Sequence, residues 1–287
     1  MNESLAVLQV ACRRAGRSAE GAQPIRIAEN AIWRLRGGVV ARVTREVGAQ
    51  REVEIATWLA SNGVDAVRPL HGAPPVVVDD RTVTFWEELP EHDKGDYLNM
   101  AVLLRQLHRL PSPDFLSVVD PFASLHRRLS EVRCLDDDAR RWLLGYVDEL
   151  KGAWEELPPG LPHCVIHGDA WSGNCAVSRR DGTAYLLDFD RVAIGPPEWD
   201  LTSIAIALTL GGPITRDGYR RFCDLYGYDV MSWQGYLTMR AIRELRMATW
   251  SASVADVRPE WLAEVQHRVD CLRGLKGERP WQWRAIL

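Results

Sequence analysis

Residues 167–174 read HGDAWSGN, which sets an acid, Asp169, five positions before an amide, Asn174, directly after the apolar run Cys164-Val165-Ile166. The chain continues CAVSRRDGTAYLLDFDR, where Asp181-Gly182 is a hairpin signal between two apolar runs. Two strands meeting at that turn pair antiparallel. Counting outward from the turn, Asn174 falls opposite the region of Asp188, at the open end of the hairpin. With Asp169 in the loop just before, three oxygen-bearing side chains converge. Such a set suits Mg²⁺, a hard cation that takes one or two carboxylates and completes its shell with phosphate oxygens and water.

The elements that must position these residues fall into two groups. The first third of the chain reads as short strands around one helix. Residues 24–35 look extended, with a loop at Ala28-Glu29-Asn30-Ala31 between the first strands, and Arg36-Gly37-Gly38 turns the chain into a returning strand, 39–44. Val39, Ala41 and Val43 share one face of that strand, so Val40 and Arg42 point to the other. In the helix REVEIATWLASNG, Glu52, Ile55, Ala56 and Leu59 recur at helical spacing, ending at Gly63. A carboxylate on an apolar stripe is costly unless paired, and Arg42 is the nearest well-aimed cation; the plainer alternative is a wet glutamate at the helix edge. Residues 82–86 form another strand, followed by Glu87-Glu88-Leu89-Pro90, after which the patterning turns helical.

The remainder reads as helices at 98–110, 139–155, 201–210, 218–226, 236–250 and 259–272, and residues 1–17 as an amphipathic first helix. The fold class is α+β: a small β-rich lobe with one main helix, 1–89, precedes a larger and mostly helical lobe, 90–287. The 287 residues suffice for a large core, with 46% hydrophobic and 26% charged residues and a net charge of -4. That balance argues against a nucleic-acid partner. The most apolar segment, 201–210, is too short for a bilayer span. Six scattered cysteines suggest a reduced, cytoplasmic chain. His163 and His167 have the four-residue spacing of a helical zinc pair, but they flank a strand and no third ligand follows. Most of the 12 tryptophans are expected in the core, Trp33, Trp58 and Trp142 among them, whereas Trp171 lies inside the loop, where its face could stack on an acceptor.

The pattern H-x-D-x-x-x-x-N followed by D-F-x resembles the catalytic loop and metal-binding aspartate of protein-kinase-like enzymes. In detail HGDAWSGN and LLDFDRVAIGPPEWDL are similar to the aminoglycoside phosphotransferase family, whose members include small-molecule kinases for choline, homoserine and similar alcohols. The resemblance runs from about residue 24 to residue 250 and includes VVARV, REVEIATWL and VTFWEELP. It implies a bilobal kinase-like fold in which 1–89 binds the nucleotide and 90–287 carries catalysis and the acceptor. It implies further that Asp169 is the catalytic base, that Asn174 and Asp188 hold Mg²⁺, and that Arg42, with Glu52 as its helix partner, takes the place of the strand lysine that contacts the α and β phosphates of ATP or GTP. Arginine there departs from the family pattern. Asn30 and Val40 join the nucleotide-binding set, and main-chain groups of Glu87 and Leu89 are expected to meet the purine. Asp190 either supports the metal from behind Asp188 or faces solvent. His167 orders the loop and Asp200 anchors it.

The activity implied is transfer of the γ-phosphoryl group to a hydroxyl of a small, antibiotic-like acceptor, with no nucleic-acid or membrane partner. From residue 211 to the C-terminus 12 lysines and arginines face 9 aspartates and glutamates, and Arg240, Arg243 and Arg246 share one predicted helix. That surplus disfavours a polycationic acceptor, unless those arginines form a solvated face or pair with nearby acids. A metabolic sugar or amino-alcohol kinase and a non-catalytic nucleotide-binding scaffold are the rival readings.

Overall fold

A computed structural model describes residues 3–27, 30–45 and 48–286. The chain groups into two compact units, Met1–Leu110 with Ser172–Val192, and Pro111–Trp171 with Ala193–Leu287. The helix after the sheet and the 172–192 hairpin group with the sheet.

In the first unit β1(Gln23–Ile27), β2(Ala31–Leu35), β3(Val39–Thr44), β4(Val76–Val78) and β5(Arg81–Glu87) form an antiparallel sheet in the order β1-β2-β3-β5-β4. The extended residues 24–35 are thus two paired strands, as the loop expected between them implies, with Ala31 already in β2. The 36–38 turn joins Leu35 to Val39, with Gly37 and Gly38 both at positive φ, a region open to glycine at no steric cost. One face of the sheet is covered by α1(Glu3–Arg14), whose Leu8, Ala11 and Cys12 pack on Trp33, Ala41, Val43 and Phe85. α2(Ala49–Ser61) ends as the sequence indicates, with Gly63 at positive φ and the Val64 amide donating to the Leu59 carbonyl at 3.1 Å.

The same unit holds a second sheet, β6(His92–Lys94), β7(Cys175–Ser178) and β8(Ala184–Leu186), in the order β6-β7-β8. α3(Tyr97–Leu107) packs beside it, started by a capping box between Asp96 and Asn99. The hairpin lies where Asp181-Gly182 placed it, but its loop is longer than two residues. Ser178 bonds Thr183, and the Gly182 amide reaches back to the Ser178 carbonyl at 2.9 Å with Gly182 at positive φ.

The second unit is built around α8(Tyr236–Ala255), which packs against α4(Leu125–Glu131), α5(Asp137–Glu155), α6(Glu198–Thr209) and α9(Leu262–Leu272); α7(Arg216–Tyr226) lies on α6. A two-stranded pair, Cys164–Ile166 with Ala193–Gly195, joins the core through Ile166 and Ala193. α4 and the 193–195 strand are too short to leave a periodic signal. Because helices surround α8 on several sides, its buried set includes Met239, Ile242 and Leu245 and also the charged Arg243 and Glu244.

Gly95 illustrates how tightly β7 is held: its amide donates to the Cys175 carbonyl at 2.8 Å, and a Cβ at position 95 would collide with Cys175 Sγ. Gly95→Ala is expected to lower the free energy of unfolding by about 1–3 kcal/mol. Adding Cys175→Ala should return part of that loss in a denaturant double-mutant cycle; strict additivity would show that the two do not compete for the same space.

Candidate active site

In the first unit the alternation of β3 buries Val39, Ala41 and Val43 and leaves Val40 and Arg42 on the other side. Arg42 Nη1 is in contact with Glu52 Oε1 and stands 3.8 Å from Asp188 Oδ1. The glutamate on the apolar stripe is thus the arginine's partner, and it is 5% exposed. Burial pushes the Glu52 carboxyl up to about 7; the charges of Asp188 and Asp190 act in the same direction, while Arg42 and the Phe189 amide oppose them.

Asn174 ends a single 3-10 turn, Ser172–Asn174, and is buried. Its carbonyl accepts from the Leu187 amide at 3.0 Å, which extends the Cys175–Leu186 pairing by one step and brings the chain at Asp188 beside it. Asp188 takes φ 65, a left-handed conformation that aspartate tolerates better than most residues. The chain after it is fastened by a residue that pattern reading passed over: Arg51 on α2 donates to the carbonyls of Asp190 at 3.3 Å and Val192 at 2.6 Å. The Asp190 side chain faces Arg191 at 3.3 Å. One amide oxygen and one carboxylate at the end of a hairpin are hard donors, and together they suit a cation that fills its remaining positions with phosphate and water.

Val40 stands between Arg34 and Trp86 on the neighbouring strands and is half-buried. Asn30 is half-buried too; Ala28 and Glu29 of the same expected loop lie outside the described residues. In the segment after β5 the Glu87 amide donates to the Arg68 carbonyl at 2.9 Å and the Glu88 amide to the Gly38 carbonyl at 2.8 Å, while Leu89 is half-buried.

The second unit holds the start of the loop, 167–171. Asp200, two residues into α6 and fully buried, accepts from the backbone amides of His167 at 2.6 Å and Gly168 at 2.8 Å, one with each carboxylate oxygen. The preceding residue, Trp199, donates its indole N–H to the Gly168 carbonyl at 3.1 Å. His167 is buried, and its Nδ1 accepts from the Asp169 amide at 3.3 Å, so its ring is turned to the loop. Asp169 itself is exposed, and Trp171 is 41% exposed. His163 is exposed on the far side of the strand, and among the described residues no three His, Cys, Asp or Glu side chains gather as a metal site.

The arginines of α8 have internal partners. Arg243 is buried and stacked on the Trp199 ring at 3.9 Å. Arg246 donates to the Pro121 carbonyl at 2.6 Å, and Arg240 lies 3.7 Å from the buried Glu244. The alternative of pairing with neighbours is the one realised, so this run carries no argument about the charge of an acceptor. Trp199 stands beside Asp200 in PPEWDL and was open to notice; Arg243 was noticed only as one of three arginines on a helix, with nothing to point to Trp199 or Asp200 as its partners.

A carboxyl whose pKa is higher folded than unfolded binds a proton on folding. Its contribution to stability is complete below about pH 4.3, the unfolded value, and is lost as pH rises through about 7. In nucleotide-free, EDTA-treated protein, urea unfolding at pH 5 and pH 8 should therefore give a pH dependence that Glu52→Gln reduces. A direct ¹³C titration of the Glu52 carboxyl with a midpoint below 5 would contradict the assignment.

Comparison with curated proteins finds no match. Among solved structures, a choline/ethanolamine kinase family protein from Mesorhizobium loti superposes with a TM-score of 0.67 at 16% identity, over 96% of this chain and 94% of that one. An amicoumacin kinase superposes with a TM-score of 0.68 at 13% identity, over 94% of each chain. A spectinomycin phosphotransferase gives 0.61 at 14% identity, over 96% of this chain and 93% of its own. At such identities the likeness establishes the fold, which is protein-kinase-like. The sequence profile of the phosphotransferase enzyme family matches residues 22–242. The chain therefore belongs to the phosphotransferase enzyme family and is a small-molecule kinase that phosphorylates an alcohol group.

Proposed function

We propose that this enzyme moves the γ-phosphoryl group of ATP or GTP to a hydroxyl of a small antibiotic-like molecule, with Mg²⁺ and in the cytoplasm. The observation that carries the reading is the Arg42–Glu52 ion pair with Asp188 beside it, on the hairpin end that also presents Asn174. A planar cation held by a buried carboxylate is oriented to bind phosphate oxygens, and its two-pronged geometry suits them. Asn174 and Asp188 would hold the magnesium, which when bound would offset charge on the phosphates. Asp169, exposed at the end of an anchored loop, would accept the proton of the acceptor hydroxyl as its oxygen bonds to the γ-phosphorus and the bond to the β-phosphate oxygen breaks.

Residues 1–89 would serve the nucleotide and 90–287 catalysis and the acceptor. Val40 and Asn30 would flank the nucleotide. Because the Glu87 amide already serves Arg68, the purine would meet the Glu87 carbonyl and the main chain of Leu89. Trp171, with two-fifths of its surface open, would offer a ring face to the acceptor. Nucleotide use is supported by neighbours described in complex with ADP and spectinomycin, and with AMP-PNP, Ca²⁺ and Ami. These two act on antibiotics by name, which supports an antibiotic-like acceptor; the choline/ethanolamine kinase likeness supports a metabolic amino alcohol as the second reading.

Nucleotide consumption with Mg²⁺, measured across antibiotics, sugars and amino alcohols, should reveal one acceptor class. Asp169→Asn is expected to lower kcat by about 10²–10⁴-fold with nucleotide KM little changed. Arg42→Ala is expected to raise nucleotide KM by about tenfold or more. Unimpaired turnover by Asp169→Asn would remove the proton-accepting role. Turnover with choline or another amino alcohol alone would favour the metabolic kinase, and nucleotide binding with no turnover by any protein would favour a scaffold.

A further inference from the structure

Arg243 is an unusual residue to bury. Its guanidinium lies 3.9 Å from the centre of the Trp199 ring, Nη2 donates to the Trp199 carbonyl at 2.8 Å, and it stands 4.0 Å from Asp200 Oδ1. Both of these residues hold Gly168: Asp200 Oδ1 accepts from the Gly168 amide, and the Trp199 indole N–H donates to the Gly168 carbonyl. Both peptide groups of Gly168 are thereby committed. Gly168 takes φ 83, where side chains are strained, so the direction in which the backbone enters Asp169 is set at this residue.

A buried cation of this kind is a poor choice for stability alone, because desolvation offsets most of its attraction to one carboxylate. Burial brings the Arg243 pKa down to about 10, against the pull of Asp200 and Asp169, which leaves it charged at neutral pH. Only a planar guanidinium can lie on a ring, donate to the carbonyl of the same residue and face the next residue's carboxylate at once; an ammonium cannot. We propose that Arg243 is a positioning residue for Asp169, holding Trp199 and Asp200 in the arrangement that fixes the peptides on both sides of Gly168. The kinetic part of this proposal rests on the proton-accepting role of Asp169, whereas the structural part does not.

The test compares Arg243→Met, Arg243→Lys and a control, Arg268→Met. Arg268 is also a buried arginine, paired with Glu264 at 2.8 Å and stacked on Trp283 at 5.0 Å, and its partners lie outside the loop. Amide hydrogen exchange over residues 166–170 is the first readout. The His167 and Gly168 amides should exchange about tenfold faster or more in Arg243→Met, less so in Arg243→Lys, and at the wild-type rate in Arg268→Met. Steady-state turnover of Mg²⁺·ATP, with water or an identified alcohol as acceptor, is the second. There kcat should fall by about 10²-fold in Arg243→Met with KM for ATP held within about twofold.

Unchanged exchange in Arg243→Met, an equal rise in Arg268→Met, or kcat and KM moving together would overturn the proposal. Equal turnover by wild type and Asp169→Asn would instead reject the role of Asp169, and exchange alone then decides whether Arg243 fixes the loop. Should Arg243→Met not fold, Arg243→Lys is judged by the same readouts.

Discussion

A carboxylate that never meets water organises the loop that leads into Asp169. Asp200 gives one oxygen to the His167 amide and the other to the Gly168 amide, so a loop that would otherwise carry two unsatisfied buried donors is anchored on the first turn of a helix. The helix supplies more than an attachment point. Its N-terminal turn favours negative charge, and Trp199, one residue earlier, returns a hydrogen bond to the Gly168 carbonyl. The loop therefore has little freedom before Asp169, where the side chain emerges to solvent. Under the role proposed for Asp169, a backbone that needs no rearrangement on binding is an advantage.

The sheet-bearing unit meets a comparable constraint with different parts. Arg42 and Glu52 come from a strand and a helix, and neither is comfortable alone away from water; each justifies the other's position. The raised pKa of Glu52 shows what burial costs when two further acids, Asp188 and Asp190, are close. A guanidinium suits this setting, because its planar fork can face Glu52 and Asp188 at once. Arg51 secures the backbone of residues 190 and 192, which follow Asp188.

Charged residues inside the second unit follow the same logic. Arg243, Glu244, Glu264 and Arg268 are buried, and each has a partner of opposite charge, an aromatic face or both. Their presence on α8 and α9 explains why a count of charges along the sequence carries no information about the acceptor. The arginines of α8 face the protein's own carbonyls and carboxylates.

What the sequence by itself determined was local. The H-x-D-x-x-x-x-N spacing, the turn at 181–182, the alternation that puts Arg42 opposite the core residues of its strand and the helical repeat that puts Glu52 on an apolar stripe all follow from periodicity and turn chemistry. Those rules act over a few residues, and the elements they indicate are present. What only the tertiary structure decided was which buried charges meet. Asp200 reaches back 33 residues to His167, and Arg243 reaches 44 residues to Trp199. No periodic pattern encodes such separations, because the partners come from elements whose packing is settled by the shape of the whole core. The hairpin loop length and the short elements at 125–131 and 193–195 were decided there too. Segments that short carry too few residues for a repeat, and their backbone bonds are completed only by neighbours far away in the chain.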